Sequence, residues 1–312
     1  MESKNNWKAW LYLAPVIILL AVFTFYPIIN TIYVSFLEGY DYGTGTYESF
    51  SLFNYKAILT TTTDEGDYMF ELVMKEALPN TLLITFITVP LSIIISLLIA
   101  LGLNSIKVLK KFFQTVFFMP YVTNAIAIGM VFAVVFDADT GIFNALFGLG
   151  DTGWVSKGKL GEGVQYFNAL FAICFYIIWH SLPYKILIFL GGLQNIDAQY
   201  YDAAKIDSAP KWKVALKITV PWLSPQILYM LITSFIGSFK EYNSVVGLFG
   251  KNGGQFDSPG LPSTMKTMVF FIYDQVAAKN VQYASAASVI LLVIIMAITL
   301  IQNQVSKRRV HY

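Results

Sequence analysis

The chain has 312 residues and a net charge of +2; hydrophobic residues make up 56% of it, and Asp, Glu, Lys and Arg only 13%. That charged share is about half that of an ordinary soluble domain and too small to cover the surface of one. A cytosolic enzyme, a disordered regulator and a disulfide-stapled secreted domain are therefore excluded, and the near-neutral balance gives no reason to expect a nucleic-acid partner.

Long uncharged blocks alternate with short charged ones, as in a polytopic membrane protein. Six stretches free of Asp, Glu, Lys and Arg are long enough to cross a bilayer as helices: residues 9–37, 77–106, 112–136, 163–184, 218–239 and 280–306. They lack the alternation over about ten residues expected of barrel strands. The first follows a short basic tail (Lys4, Lys8) but is too long for a signal peptide, so it is expected to be retained. Pro15, Pro27, Pro90, Pro120 and Pro183 interrupt four of the six spans. Each removes a helix hydrogen bond, which is tolerated where neighbours or a water-filled path satisfy the freed carbonyl.

Basic residues set the orientation. With the N-terminus inside, the inner segments hold Lys4, Lys8, Lys107, Lys110, Lys111, Lys205, Lys211, Lys213, Lys217, Lys307, Arg308 and Arg309. Most acids, Glu38, Asp41, Asp64, Glu65 and Asp67 among them, fall outside. Both termini are expected to be cytoplasmic. The predicted organisation is a tail and first helix over 1–37, an extracytoplasmic loop over 38–76 with local structure near 51–59, a five-helix core over 77–306, and a basic tail over 307–312.

The inner segment 195–217 is the most informative. Two short helices are predicted, one over about 197–207 and one starting at Pro210 with Ser208 as its cap. Leu193, Ile196 and Tyr200 recur at helical spacing, as do Trp212, Leu216 and Thr219. Asp202-Ala203-Ala204, three residues, Ser208, nine residues, then Ile218-Thr219-Val220-Pro221 resembles the EAA loop of permease subunits in bacterial ATP-binding cassette importers. Asp202 stands for the family's Glu, Val220 for its Leu, and Ser208 for its Gly, a residue suited to a positive φ; the last leaves the turn geometry open.

The resemblance covers nearly the whole chain and narrows to the carbohydrate-uptake branch. Leu13-Ala14-Pro15, Phe25-Tyr26-Pro27, Phe53-Asn54-Tyr55, Asn80-Thr81-Leu82, Phe117-Phe118-Met119-Pro120, Gly141-Ile142-Phe143-Asn144 and Asn252-Gly253-Gly254 fall in the family's order. It implies an all-α, six-helix, type I importer permease fold in the bacterial cytoplasmic membrane. It also implies a second homologous permease subunit, two ATPase subunits that bind ATP and magnesium, and an extracytoplasmic sugar-binding protein. In the family, the ATPase grips the loop that here comprises Asp202, Ala203, Ala204, Asp207, Ser208 and Ala209.

A sugar path needs flat apolar faces and hydrogen-bonding groups inside the bundle. Tyr121 and Asn124 follow the kink at Pro120; His180, Ser181 and Tyr184 surround Pro183; Ser234, Ser238 and Glu241 recur at i, i+4, i+7. By resemblance to the larger maltose-type subunit, Tyr121, Tyr184 and Ser234 keep the residue type of sugar-facing positions, while His180, Ser181, Ser238 and Glu241 differ from it. Position alone leaves the tyrosines open between interfacial anchor and sugar contact, and the serines between helix packing and path. His180 is open to a packing role, Lys185 to snorkelling or pairing, and Lys240-Glu241 to marking a helix end.

No Gly-x-x-x-x-Gly-Lys-Ser/Thr loop is present, so ATP chemistry is expected in partner chains and not in this one. One cysteine, Cys174, and two histidines argue against metal and iron–sulfur sites. The competing reading is an ion-coupled secondary transporter of a small polar solute, which would want ionisable residues at mid-membrane and an internal repeat.

Overall fold

In lipid, a backbone must satisfy its own hydrogen bonds, and the apolar blocks do so as helices. The computed structural model describes residues 6–61, 68–106, 110–150, 152–156 and 164–306. The basic tail expected over 307–312, and Asp64, Glu65, Asp67 and Lys107, lie outside the described residues.

Four single helices are long and apolar enough to cross a membrane: α1 (Trp10–Val34), then Tyr68–Ser105, Tyr166–Gln194 and Val281–Val305. Two further apolar stretches are bent pairs of helices. Gln114–Val122 and Ala125–Val135 meet at 105°, and Lys211–Trp222 and Ser224–Phe239 at 68°. The third and fifth expected spans are therefore broken rather than straight. Asn124 halts the first pair with extended backbone (ψ 126°) and restarts the helix by accepting the N–H groups of Ile126 and Ala127. In the second pair Pro225 occupies the first turn after the bend, where a missing N–H is harmless.

Prolines also explain three π-helical turns. Ala21–Phe25, Glu71–Ala77 and Ala215–Thr219 each end two residues before a proline: Pro27, Pro79 and Pro221. A proline ring clashes with the carbonyl four residues back, and widening that turn relieves the clash without ending the helix.

The chain divides into two units, residues 1–72 with 271–293, and 73–270 with 294–312. In the first, α1 is followed by a two-residue ribbon, β1 (Leu37–Glu38) antiparallel to β2 (Ser49–Phe50), and by α2 (Phe53–Leu59). The local structure expected near 51–59 is this helix. Asn54 ties it down: its Nδ2 donates to the carbonyls of Ser35 (3.0 Å) and Leu37 (2.8 Å). Glu38 accepts from the hydroxyls of Ser49 and Ser51 at 2.8 Å each, which holds its carboxyl below the usual range. Trp10, Tyr12 and Phe23 on α1 are exposed in the isolated chain.

The second unit is built on α3 (Tyr68–Ser105) and α7 (Tyr166–Gln194), which pack along each other. Around them lie α4 (Lys110–Val122), α5 (Ala125–Val135), α6 (Ile142–Phe147), α8 (Ala198–Ile206), α9 (Lys211–Trp222), α10 (Ser224–Phe239) and α11 (Asn243–Phe249). The last two helices, α12 (Met268–Ala277) and α13 (Val281–Ser306), each carry residues of both units. The fourth expected span stopped at Tyr184 because Lys185 follows; α7 instead runs on to Gln194 with Lys185 buried in it.

Buried polar residues on α3 form a stripe: Thr81, Thr85, Thr88, Ser92 and Ser96. Their spacing of three and four keeps them on one face. Its apolar core includes Phe136, which contacts Phe143 (4.8 Å) and Trp154 (6.0 Å). Asn144 closes the nearby loop by donating to the carbonyls of Ala138 and Thr152 and accepting the Trp154 indole N–H at 2.7 Å. Gly141 is obligatory there, because a Cβ would sit 2.2 Å from the Asp137 carbonyl. α11 crosses α5 at two glycines: a Cβ on Gly129 would meet Gly247 Cα at 2.7 Å.

Candidate functional site

A cavity of about 320 Å³ lies between α3, α4, α7 and α10. Thr88, Val89 and Ser92 face it from α3; Tyr121 from α4; Ile177, His180, Ser181, Tyr184 and Lys185 from α7; Thr233, Ser234, Gly237 and Ser238 from α10, with Glu241 beyond that helix's end. Seven of the eight residues expected on the path are therefore brought together. Asn124 is not among them: its side chain is spent as the cap of α5.

The two tyrosines form one surface. The rings of Tyr121 and Tyr184 are 5.7 Å apart and within 15° of parallel, and the Tyr184 hydroxyl lies 3.1 Å from that of Tyr229. Each end of the pair thus offers an apolar face and a polar tip.

The hydroxyls differ in how they are used. Ser238 Oγ donates to Thr85 Oγ1 across α10 and α3 (3.0 Å), so it joins helices as well as lining the cavity. Ser181 Oγ donates to the Ile178 carbonyl of its own helix. Ser234 lies one turn before Ser238 on the same face. Glu241 is not the next step of that helix: α10 ends at Phe239, and the Glu241 carboxylate accepts the Ser244 N–H at 3.0 Å, capping α11. The helix-end role is real, and the residue lines the cavity too. Lys240 does not line it.

Sequence reasoning missed Thr88, Ser92 and Lys185. The first two carried a signal, the threonine–serine stripe on α3. Lys185 does not snorkel, and it pairs with no acid among the described residues: it is 5% exposed, and its Nζ donates to Ser92 (2.5 Å) and Ser181 (3.2 Å). Two residues lining the cavity, Thr88 and His180, each carry a buried polar atom, Oγ1 and Nε2, with no hydrogen-bond partner among the described residues. Buried polar atoms are normally paired, so these two stand out within the site.

The segment 195–217 forms two helices close to the expected bounds. α8 is capped by Asp197, whose carboxylate accepts the Gln199 N–H. It ends in a Schellman motif: Ala209 N–H donates to the Ala204 carbonyl and Ser208 N–H to that of Lys205. Ser208 holds the left-handed position of that motif with φ +49°. The serine thus takes a positive φ of the kind that suits glycine. Ser208 is consequently not a cap; α9 starts at Lys211 with Pro210 before it and no side-chain cap.

Two helical repeats are also corrected. Leu193 belongs to α7 and Tyr200 to α8, with a break between. In α9 the π turn shifts the phase, so Trp212 and Leu216 are exposed while Thr219 is buried. Ala204 is buried; Ala203, Asp207 and Asp202 are exposed, and Asp202 holds Lys205 at 2.7 Å. Ile206 is 84% exposed.

Residues 92–311 match the family model for the binding-protein-dependent transport system inner membrane component. The chain belongs to that family. This membrane component is 31% identical to the arabinooligosaccharides transport system permease protein AraP of Bacillus subtilis, over 95% of this chain and 88% of that one. It is 28% identical to the lactose transport system permease protein LacF of Rhizobium radiobacter, over 97% and 95%. Its fold is similar to a chain from a bacterial ABC transporter involved in the import of the acidic polysaccharide alginate. That match has a TM-score of 0.75 at 18% identity and covers 98% of this chain and 96% of the other.

Proposed function

We propose that this chain is one membrane subunit of an importer that carries a sugar or oligosaccharide across the bacterial cytoplasmic membrane, driven by ATP hydrolysis in partner subunits. The observation that carries this reading is the cavity: a stacked tyrosine pair beside hydroxyls, with Thr88 Oγ1 and His180 Nε2 unpartnered among the described residues. Aromatic faces suit sugar C–H faces, and the orphaned atoms suit sugar hydroxyls. The naming of AraP and LacF as sugar permeases agrees with it.

In this reading Tyr121, His180, Ser181, Tyr184, Ser234, Ser238 and Glu241 line the path. Both chain ends lie inside, as the basic residues argue, and each bent pair counts as one crossing, giving six. Two ATPase chains, which bind the ATP and magnesium, grip α8 and α9. The exposed Ile206, Trp212 and Leu216 give such a partner apolar anchors, with Asp202 and Asp207 beside them. A second, homologous permease completes the bundle, and an extracytoplasmic sugar-binding protein delivers the substrate.

The test is reconstitution of the four-part membrane complex in proteoliposomes. Sugar-loaded binding protein should stimulate ATP hydrolysis and sugar uptake. Asp202→Lys should lower copurification of the ATPase while the chain stays in the membrane. Full copurification and stimulation in that variant would remove the segment from the mechanism.

A further inference from the structure

Lys185 is the one charged side chain buried within the described part of the second unit. Its ammonium has three donors, and the described residues supply two acceptors, both neutral hydroxyls, Ser92 and Ser181. No carboxylate among the described residues pairs with it. A buried cation in a membrane bundle without a counter-ion is costly, and such groups mark the places where a charge is met by something that passes.

The cavity's own acid does not fill that role. Among the described residues no ion pair joins Glu241 to Lys185, and the Glu241 carboxylate accepts the Ser244 N–H beyond the end of α10. Lys185 lies five residues beyond His180 on α7, about 7.5 Å further along the axis. The cavity thus holds a carboxylate and an ammonium that do not pair, with Tyr184 between His180 and Lys185 in the sequence of α7.

We propose that Lys185 is a specificity residue that binds the carboxylate of an acidic sugar, a uronic acid unit, as it passes the Tyr121–Tyr184 pair. The inference rests on the sugar-import reading and narrows it to a substrate class. A carboxylate fits better than a phosphate. Lys185 is the only lysine or arginine among the described residues lining the cavity, so one ammonium flanked by hydroxyls meets a monoanion, whereas a phosphate dianion calls for more charge and more donors.

The experiment uses the whole importer in proteoliposomes with its own binding protein. Radiolabelled digalacturonate and trigalacturonate are compared with neutral galacto-oligosaccharides of the same length, and galactose 6-sulfate separates a carboxylate from any anion. The expected result is uptake of the uronates in preference to both other probes. Lys185→Met should lower uronate uptake about tenfold or more, with subunit copurification retained. Lys185→Arg should restore most of it. Preference for neutral sugar in the wild type, unchanged uronate uptake in Lys185→Met, or equal loss for neutral and acidic probes would each overturn the proposal while leaving sugar import standing. Preference for the sulfate would overturn the carboxylate assignment. If Lys185→Met does not assemble, the wild-type preference alone decides. If no probe is taken up or stimulates hydrolysis, the sugar reading falls, and this inference with it.

Discussion

Two buried polar regions on α3 are built to opposite rules. At its start, Asn80 uses its whole carboxamide: Nδ2 donates to the carbonyls of Thr264 (2.8 Å) and Lys266 (2.9 Å), and Oδ1 accepts the Tyr166 hydroxyl at 2.7 Å. One turn earlier, Glu76 takes the hydroxyls of Ser263 and Thr264. Two turns on, among the described residues, Thr88 Oγ1 has no partner and Ser92 meets a lysine without a counter-ion. Between them Thr85 is bonded to Ser238 across helices. A buried polar group whose lone pairs are all met holds the fold; one left unmet beside a cavity fits a ligand. The first region latches the 253–267 loop onto the helix, and the second leaves room.

The contrast orders the expected effects of substitution. Asn80→Ala should be the most severe, because it strands two buried carbonyls and the Tyr166 hydroxyl; a loss of roughly 3 kcal/mol or more is expected. A thermal melt in detergent should fall by many degrees, and an unchanged melt would show that the latch is not structural. Tyr184→Ala should do the reverse. Its ring bounds the cavity and its hydroxyl makes one exposed bond, so the melt should barely move while uptake falls about tenfold. A large melting shift with normal uptake would return Tyr184 to packing.

Asp137 belongs with the latches. It accepts from Thr140, Asp139 and Ser156, and these bonds pull its carboxyl down to about 2. A group with a depressed folded-state value stabilises the protein above its unfolded value, near 3.8, and loses that contribution as pH falls toward 2. Melts should be flat from pH 7 to 5 and decline between about 4 and 2, with Asp137→Asn removing part of that decline. Solvent screening limits the effect to about 1 kcal/mol. Smallest of all, Ser208→Gly should relieve the left-handed backbone at φ +49° and raise stability by a few tenths of a kcal/mol, because added chain entropy offsets most of the gain. ATPase copurification should be unchanged; a drop would show that the serine hydroxyl itself matters to docking.

Much of the site could be read in advance because polar residues beside prolines in apolar helices have few places to go. His180, Ser181, Tyr184, Ser234 and Ser238 were found on that ground, and all line one cavity. Glu241 was found too, but for a helix it does not belong to. Asn124 was misplaced because a carboxamide after a kink reads equally as a ligand or a cap, and only the backbone angles tell them apart. The α3 stripe went unread because Thr and Ser look unremarkable one at a time. Ser208 shows the limit from the other side: the motif spacing survived, while its conformation did not follow from the residue type.

Composition and spacing alone determined that the chain is helical, membrane-embedded and organised around the segment at 195–217, because hydrocarbon admits few backbones and charge can sit only between spans. Tertiary structure alone decided where the spans break, that Ser208 completes a Schellman turn, and that Lys185 is enclosed with two hydroxyls instead of reaching water. Those outcomes depend on partners far apart in sequence, Ser92 for Lys185 and Thr85 for Ser238, and no local pattern specifies which distant side chain arrives.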